Sequence, residues 1–293
     1  MMLSALIVAS VTLLPPDRPV QQEAPMLVDV EWLAQHARDG NVVLLHVGDR
    51  REYDAGHIAG ARYVTLADIS APQDRSDNTQ LALQLPHPDT LRRRLEALGI
   101  SDDSHVVVYY GNDWVSPATR VIFTLDWIGL GNRTSLLNGG MRAWQRAGHP
   151  VTADVPAPRP GRLTARTPKR LVVDAAFAAA TPERPGHRLV DGRAAVYHRG
   201  IEPTYGKSGH IPGALSIPYT TVTDESLVFD TARLERQFRE AGVRPGDTVV
   251  GYCHIGQQAT AMLFAARLLG HDVLLYDGSF QDWGTNNRGP VEK

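Results

Sequence analysis

Short apolar runs alternate along the chain with longer stretches in which apolar residues recur at helical spacing. The short runs are typical of buried strands, and the longer stretches are typical of helices packed on a sheet. In the first half of the chain they predict strands at residues 42–45, 106–109 and 135–137 and helices at 91–98 and 119–128. In the second half they predict strands at 188–190, 248–252 and 273–276 and helices at 231–241 and 259–269. Strands that alternate with helices indicate two α/β domains, each a mostly parallel sheet flanked by helices.

The two halves repeat the same motifs in the same order, as expected for a duplicated domain. HIAGA at residues 57–61 recurs as HIPGA at 210–214, and NGGMRAW at 138–144 is paralleled by DGSFQDW at 277–283. Upstream, the Asp-x-Arg pattern of Asp49 and Arg51 is matched with that of Asp191 and Arg193. These repeats predict one domain at residues 26–150 and a second at 169–293, joined by a proline-rich surface linker at 151–168.

Residues 1–25 precede the first domain and are open to two interpretations. LSALIVASVTLL at residues 3–14 has the length of the apolar core of a signal peptide, which would make the protein periplasmic. Against export, neither Lys nor Arg precedes this run, and no clean small-x-small cleavage pattern follows it. The alternative is an N-terminal extension of a cytoplasmic protein. No apolar run reaches the roughly 20 residues of a transmembrane helix, so we predict no membrane span.

Charge and cysteine content exclude several classes of function. The 30 Lys and Arg residues nearly balance the 32 Asp and Glu residues, and no basic block offers a surface for nucleic acid. An apolar fraction of 43% is typical of a globular chain rather than a disordered one. A single cysteine excludes an internal disulfide and any zinc or iron–sulfur site built from several thiolates. We therefore predict no metal site, and the oligomeric state stays open.

The single cysteine, Cys253, lies between a predicted buried strand and a predicted helix. Ligands of parallel α/β sheets bind beyond the carboxyl ends of the strands, where the free N–H groups of a helix N-terminus stabilise an anion. Gly256 allows the loop to curl so that several N–H groups point inward. This environment predicts a nucleophilic thiol with a pKa lowered toward neutrality. The alternative is a small core residue, but the polar residues Gln257 and Gln258 favour the nucleophile.

Cysteine-dependent phosphatases also hold a thiolate in a loop before a helix. They need an arginine at the C-x5-R spacing, because its guanidinium group grips the phosphoryl oxygens. That position is occupied by Ala259, so we do not predict phosphatase chemistry.

The two Asp-x-Arg segments, the HIAGA and HIPGA motifs, the six-residue loop that begins at Cys253 and the closing DGSFQDW resemble the tandem rhodanese-type sulfurtransferases. This family acts on thiosulfate or 3-mercaptopyruvate, and the resemblance covers about residues 27–288. It implies two rhodanese-like domains, of which the first lacks the cysteine and is inactive. It also implies that Cys253 takes a sulfane sulfur from a small anionic donor, carries it as a persulfide and passes it to a thiol or cyanide-type acceptor, without a cofactor.

The resemblance also implies roles for residues near the cysteine. Arg193 falls where the family places an arginine that meets the anionic donor, and an ion pair with Asp191 is the alternative role. Arg199 is a second candidate for donor binding, with a solvated surface position as its alternative. His57 and His210 are expected to hold the turns after the Asp-x-Arg segments by hydrogen bonding. The other expected substrate-binding residues form the loop itself: His254, Ile255, Gly256, Gln257 and Gln258.

The first copy carries residues 111–117, without a cysteine, where the second carries its cysteine loop. With Tyr110 aligned to Tyr252, the first loop is one residue longer. We expect the first domain to be inactive and to support the second, with Trp114 or Arg120 approaching the cleft between them.

The loop sequence CHIGQQ leaves the donor open. It matches neither the basic loop of thiosulfate-preferring members nor the Gly-Ser-Gly type of mercaptopyruvate-preferring members. Thiosulfate is the favoured donor and 3-mercaptopyruvate the alternative. If protonated His254 helps to bind the donor, turnover should rise below about pH 6.5. The competing hypothesis is a non-catalytic sulfur carrier or regulatory binding protein on the same scaffold.

Overall fold

The computed structural model describes residues 23–74, 76–77, 79–112 and 114–293, so the signal-like run at residues 3–14 lies outside the described residues. The first domain is built on a parallel sheet. Its strands are β1 (Leu27–Val28), β2 (Val42–Val47), β3 (Arg62–Tyr63), β4 (His105–Tyr110) and β5 (Thr134–Leu137). Its helices are α1 (Val30–His36), α2 (Arg50–Ala55), α3 (Pro88–Ala97), α4 (Ser116–Trp127) and α5 (Gly140–Arg146). The strands lie in the order β1-β5-β4-β2-β3.

The second domain repeats this arrangement. Its strands are β6 (Val172–Val173), β7 (His187–Asp191), β8 (Leu215–Ser216), β9 (Thr248–Tyr252) and β10 (Val273–Tyr276). Its helices are α6 (Ala175–Ala180), α7 (Ala195–His198), α8 (Thr231–Ala241), α9 (Gln258–Leu268) and α10 (Ser279–Thr285). The strands lie in the order β6-β10-β9-β7-β8, again parallel, so their carboxyl ends meet at one edge of the sheet.

The three central strands of each sheet coincide with the predicted ones, and the α/β class with two rhodanese-like domains is confirmed. β4 shows why the prediction succeeds. Val106, Val107 and Val108 are each at most 1% exposed, because a central parallel strand is covered by helices on both faces. The edge strands β1, β3, β6 and β8 were not predicted, since two residues are too short to carry a hydrophobic period.

Equivalent hydrogen bonds in the two domains fix which residues correspond. The Ile58 N–H donates to the Tyr109 hydroxyl at 3.1 Å, and the Ile211 N–H donates to the Tyr252 hydroxyl at 3.1 Å. Tyr109 therefore corresponds to Tyr252, and the predicted alignment of Tyr110 with Tyr252 is wrong by one residue. Tyr110 is the residue that stands where the second domain has its cysteine.

The predicted pairing of the two Asp-x-Arg segments is also wrong. His46 and Asp191 pair with these corresponding tyrosines in the two sheets, so His46 is the counterpart of Asp191. Asp49 lies beyond the end of β2, where its carboxylate accepts the Arg51 N–H at 2.6 Å and caps α2. The same short pattern thus serves as a helix cap in the first domain and ends a strand in the second.

The domains pack against each other through α4 and α9. Near their N-terminal ends, the Oγ1 atoms of Thr119 and Thr260 lie 3.0 Å apart, and each donates to the carbonyl three residues earlier in its own chain segment. These threonines therefore correspond. Tyr109 and Thr119 are ten positions apart (119 − 109), and Tyr252 and Thr260 are eight positions apart (260 − 252). The first loop is therefore two residues longer than the second, not one.

Farther along the same interface, a buried carboxylate joins the two domains. Asp126 on α4 binds Lys169 and Arg267, each at 2.7 Å. Residues 153–171 contain no helix or strand and run along the first domain, where the Gly161 N–H donates to the Glu96 carbonyl at 2.7 Å. Among the described residues, no helix is long and apolar enough to span a membrane.

Candidate active site

Cys253 directly follows β9 and starts a six-residue segment, residues 253–258, that we call the cysteine loop. Its side chain has 0% exposed surface. Four backbone N–H groups stabilise negative charge on the sulfur and so lower the pKa of the thiol, those of Ala259, Ile255, Gly256 and Gln258. The sulfur therefore lies in a polar pocket of amide groups at the N-terminus of α9, although the residue is buried.

Burial raises the pKa of the Cys253 thiol above its usual range. The four amide donors stabilise the thiolate and offset part of this increase. The sequence predicted a lowered pKa, and the direction is wrong because desolvation of the buried anion outweighs the amides. The free thiol therefore rests largely protonated at neutral pH, and the amides limit rather than abolish the cost of ionisation.

The cysteine loop is held by the start of α10. The Cys253 N–H donates to the Ser279 hydroxyl at 3.1 Å, and the Phe280 N–H donates to the Cys253 carbonyl at 2.9 Å. Gly256 has a φ of +81°, and a Cβ there would lie 2.8 Å from the Asp277 carbonyl oxygen. Glycine at this position therefore lets the loop pass against Asp277 while its N–H turns toward the sulfur.

Arg193 is fully buried and forms a bidentate ion pair with Asp191. Its Nη2 donates to Asp191 Oδ2 at 2.6 Å, its Nε donates to Oδ1 at 3.0 Å, and the guanidinium lies 3.7 Å above the Phe280 ring. Burial alone would raise the pKa of Asp191, but hydrogen bonds from His198 and Arg193 lower it to about 2. The ion pair proposed as the alternative role is thus present. Among the described residues, Arg193 Nη1 has no hydrogen-bond partner.

His254 lies half-buried beside two residues of the segment after β7. Its ring meets the edge of Tyr197 with centroids 4.5 Å apart, and its Nδ1 lies 3.5 Å from Thr204 Oγ1. Burial and the positive charge of Arg193 lower the pKa of His254 to about 4. The ring is therefore neutral near pH 6.5, which removes the basis for a protonated His254 in donor binding. Arg199 lies exposed at the C-terminal end of α7.

Two tyrosines outside the motifs interact electrostatically with the cysteine. Burial raises the pKa of Tyr205 and Tyr219, and the negative charge of ionised Cys253 contributes to both shifts. Sequence analysis missed these tyrosines because they lie outside the predicted strands and helices, before and after β8, and far from Cys253 along the chain. Their only sequence signal is a position near HIPGA.

Both first-domain residues expected near the cleft contact the second domain. Trp114 stacks on Tyr219 with ring centroids 5.7 Å apart, and Arg120 donates to the Gly256 carbonyl at 3.2 Å. Gln257 of the cysteine loop donates to Ser116 Oγ at 3.1 Å. The cysteine loop is therefore bounded on one side by the domain that lacks a cysteine.

His57 and His210 take corresponding positions outside the cysteine loop. Each Nδ1 lies 2.8 Å from a backbone carbonyl, that of Tyr53 for His57 and that of His198 for His210. Their rings stack on the side chains of the same two residues. Both histidines thus hold the turn that follows α2 or α7. No cluster of three or more acidic, histidine or cysteine side chains suited to a metal ion occurs among the described residues.

Comparison with known proteins shows that both halves of the chain are similar to one protein family. The rhodanese-like domain model matches residues 29–147 and 174–286. The "Probable 3-mercaptopyruvate sulfurtransferase" of Pseudomonas aeruginosa is 35% identical over 246 residues, which cover 82% of this chain and 86% of that protein. The thiosulfate sulfurtransferase of Gallus gallus is 32% identical, covering 88% and 92%. The crystal structure of the 3-mercaptopyruvate sulfotransferase SseA from Escherichia coli is similar with a TM-score of 0.75 and 26% identity, covering 87% of this chain and 99% of that chain.

Proposed function

Since the chain belongs to the rhodanese family and is a sulfurtransferase of the thiosulfate and 3-mercaptopyruvate type, we propose that Cys253 is its sulfur carrier. The observation that supports this role is the set of four amide groups around a buried sulfur. Amides fixed in advance around one atom stabilise negative charge there without a metal or an organic cofactor. A core cysteine that only fills space needs no such donors.

The proposed reaction consists of two displacements. In the first, the Cys253 thiolate attacks the outer sulfur of thiosulfate, the sulfur–sulfur bond of the donor breaks, and sulfite leaves with the electron pair. The thiol proton is lost to solvent, and a persulfide forms on Cys253. In the second, a thiol or cyanide acceptor attacks the terminal sulfur, and the electron pair of the broken bond returns to the Cys253 sulfur. Such covalent transfer gives ping-pong kinetics.

The raised pKa of the free thiol fits this cycle. A persulfide is a stronger acid than a thiol, so the sulfur-loaded state is the one that is readily anionic. The amide groups then serve chiefly to hold the loaded sulfur, and they lower the cost of forming the thiolate when a donor arrives. Burial keeps water away from the persulfide between the two displacements.

We propose thiosulfate as the preferred donor and 3-mercaptopyruvate as the alternative. The cysteine loop contains neither Lys nor Arg, and His254 is neutral near pH 6.5, so backbone amides and a cation outside the loop must meet the anionic donor. Arg193 is the proposed cation, through its Nη1, which has no hydrogen-bond partner in the part of the chain that the structure describes. Arg199 is a weaker candidate, because it lies exposed at the end of α7.

Intact-protein mass spectrometry tests the proposal. We expect incubation with thiosulfate to add the mass of one sulfur atom to the wild type, and cyanide to remove it with release of thiocyanate. Cys253→Ser should gain no sulfur while keeping its thermal unfolding midpoint close to that of the wild type. A parallel incubation with 3-mercaptopyruvate ranks the donors. If neither donor loads the wild type, the persulfide role is wrong and a regulatory binding role on this scaffold is favoured.

A further inference from the structure

Arg120 lies on α4 of the first domain, but its guanidinium group is directed at the second domain. The side chain is fully buried, with 0% exposure. Its Nη1 donates to the Asp277 carboxylate at 2.7 Å and to the Gly256 carbonyl at 3.2 Å, and its Nη2 donates to the Leu83 carbonyl. The domain without a cysteine thus supplies a charged group to the loop that holds Cys253.

The Asp277 carboxylate fixes this guanidinium in place. Asp277 is 4% exposed, and its second oxygen accepts the Leu85 N–H at 3.2 Å. A buried ion pair keeps its geometry because any displacement leaves an unpaired charge out of contact with water. The Arg120 donor is therefore held at one position relative to the Gly256 carbonyl.

Gly256 connects this donor to the sulfur. Its N–H is one of the four that stabilise negative charge on the Cys253 sulfur, and its carbonyl is bound by Arg120. The Gly256 α-carbon therefore joins a peptide group that acts on the sulfur to one that Arg120 holds. A glycine with a φ of +81° has wide conformational freedom, so an anchor at its carbonyl restricts where its N–H points.

We propose that Arg120 is a positioning residue for sulfur transfer, which holds the Gly256 peptide so that the amide groups of the cysteine loop stay directed at the sulfur. The first domain then contributes to the chemistry of the second through the Arg120 side chain. The part of this inference that concerns sulfur loading rests on the proposed function. The part that concerns ionisation of Cys253 does not.

Asp126 offers a matched control for the general effect of disturbing the interface. It lies on the same helix as Arg120, is also buried, and also binds the second domain through its 2.7 Å contacts with Lys169 and Arg267. These two partners lie outside the cysteine loop. Asp126→Asn therefore weakens the domain interface and leaves the Gly256 anchor in place.

The other titratable groups that face Cys253 do not obscure its titration. Tyr205 and Tyr219 have pKa values raised above 10.0 by burial, and His254 has its pKa lowered to about 4 by burial and Arg193. Between these limits their charges are constant. A change in alkylation of Cys253 over this range therefore reports on the sulfur itself.

The experiment compares Arg120→Met, Arg120→Lys and Asp126→Asn in the full chain. Alkylation of Cys253 by iodoacetamide is followed against pH, sulfur loading from thiosulfate by mass spectrometry, and stability by urea unfolding. We expect Arg120→Met to move the midpoint of alkylation to higher pH and to slow loading by up to roughly 100-fold. Arg120→Lys keeps the charge but lacks the planar guanidinium group. Its alkylation midpoint and loading rate should therefore lie between those of Arg120→Met and the wild type. Asp126→Asn should lose stability with an unchanged midpoint.

The inference is overturned if Arg120→Met keeps the wild-type midpoint, or if Asp126→Asn shifts the midpoint as far. If Arg120→Met does not fold, the test relies on Arg120→Lys. A wild-type alkylation midpoint in Arg120→Lys would then overturn the inference. Absence of sulfur loading in the wild type would refute the proposed function. The alkylation profiles would still test the role of Arg120.

Discussion

Trp114 of the first domain stacks on Tyr219 of the second, with ring centroids 5.7 Å apart and 17° between the ring planes. The negative charge of ionised Cys253 contributes to the raised pKa of Tyr219, and the Cys253 side chain has no exposed surface, whereas Trp114 is 47% exposed. We expect the stack to cover the route from solvent to the buried sulfur. An aromatic pair of this kind contributes about 1 kcal/mol beyond its buried area.

We expect Trp114→Ala to open the route to Cys253. Loss of about 1 kcal/mol raises the population of open states about fivefold, so alkylation of Cys253 at one pH should accelerate by a similar factor. Trp32→Ala is the matched control, because Trp32 stacks on His36 with centroids 4.3 Å apart and packs against a hydrophobic cluster separate from the one that contains Cys253. Equal alkylation rates in Trp114→Ala and the wild type would show that the stack does not cover the sulfur.

The reaction with donor should accelerate with rising pH and show no step near pH 6.5. The thiolate is the nucleophile, and burial raises the pKa of Cys253, so its ionised fraction grows through the alkaline range. His254 has a pKa of about 4, because it is buried near Arg193, and stays neutral throughout. The measurement is single-turnover sulfur loading against pH in the wild type and His254→Asn. If the rate of sulfur loading rises below about pH 6.5 and His254→Asn abolishes that rise, donor binding by a protonated His254 is supported instead.

Arg193→Met should destabilise the second domain as well as affect donor binding. The substitution leaves Asp191 buried without its main partner, which costs about 3–5 kcal/mol of unfolding free energy at neutral pH. Asp191 has a pKa lowered from 3.8 to about 2, so its stabilising effect is present above pH 3.8 and is lost as the pH falls toward 2. The difference between wild type and variant in urea unfolding should shrink over that window.

Arg199→Met provides the control for this prediction. Arg199 is exposed, so its replacement should change the unfolding free energy by no more than about 0.5 kcal/mol. Because Arg199→Met should keep its stability, its rate of sulfur loading reports on donor binding alone. Wild-type stability in Arg193→Met would contradict the structural role of the Asp191 ion pair.

Gly256→Ala should abolish sulfur loading, because a Cβ would lie 2.8 Å from the Asp277 carbonyl oxygen and 3.2 Å from Arg120 Nη1. Gly246→Ala is the matched control, since Gly246 has a similar φ of +85° and a Cβ there meets nothing within 4 Å. The control carries only the backbone cost of a left-handed residue, roughly 1–2 kcal/mol, and should load sulfur normally. Loading at the wild-type rate in Gly256→Ala would mean that the loop tolerates displacement.

The central strands and the long helices could be predicted because their apolar runs are long enough to carry a period. β4 and β9 are each five or six residues of mostly apolar sequence, and helix α8 keeps its apolar side on Leu234 and Phe238. Helices α2 and α7 are six and four residues long and were not predicted. Elements of this length are set by tertiary contacts and caps rather than by a hydrophobic pattern.

The register between the two copies was not predictable from the Asp-x-Arg pattern. The correct correspondence rests on the hydrogen bonds that Tyr109 and Tyr252 accept from distant N–H groups. Likewise, the amide groups around Cys253 followed from the strand-loop-helix order, whereas the direction of its pKa shift did not. Desolvation depends on how deeply the fold buries the sulfur, and the local sequence does not show this.

The contact between Thr119 and Thr260, whose hydroxyl oxygens lie 3.0 Å apart, joins two corresponding residues and so marks an axis that exchanges the domains. If the two domains were separate identical chains related by this axis, each side chain would occur once on each side of the axis. Here the partner of Arg120 across the axis, 141 residues further on (260 − 119), is Ala261. Joining the halves in one polypeptide therefore allows them to differ: one half carries the cysteine, and the other carries an arginine that two identical chains would have to carry on both sides of the axis.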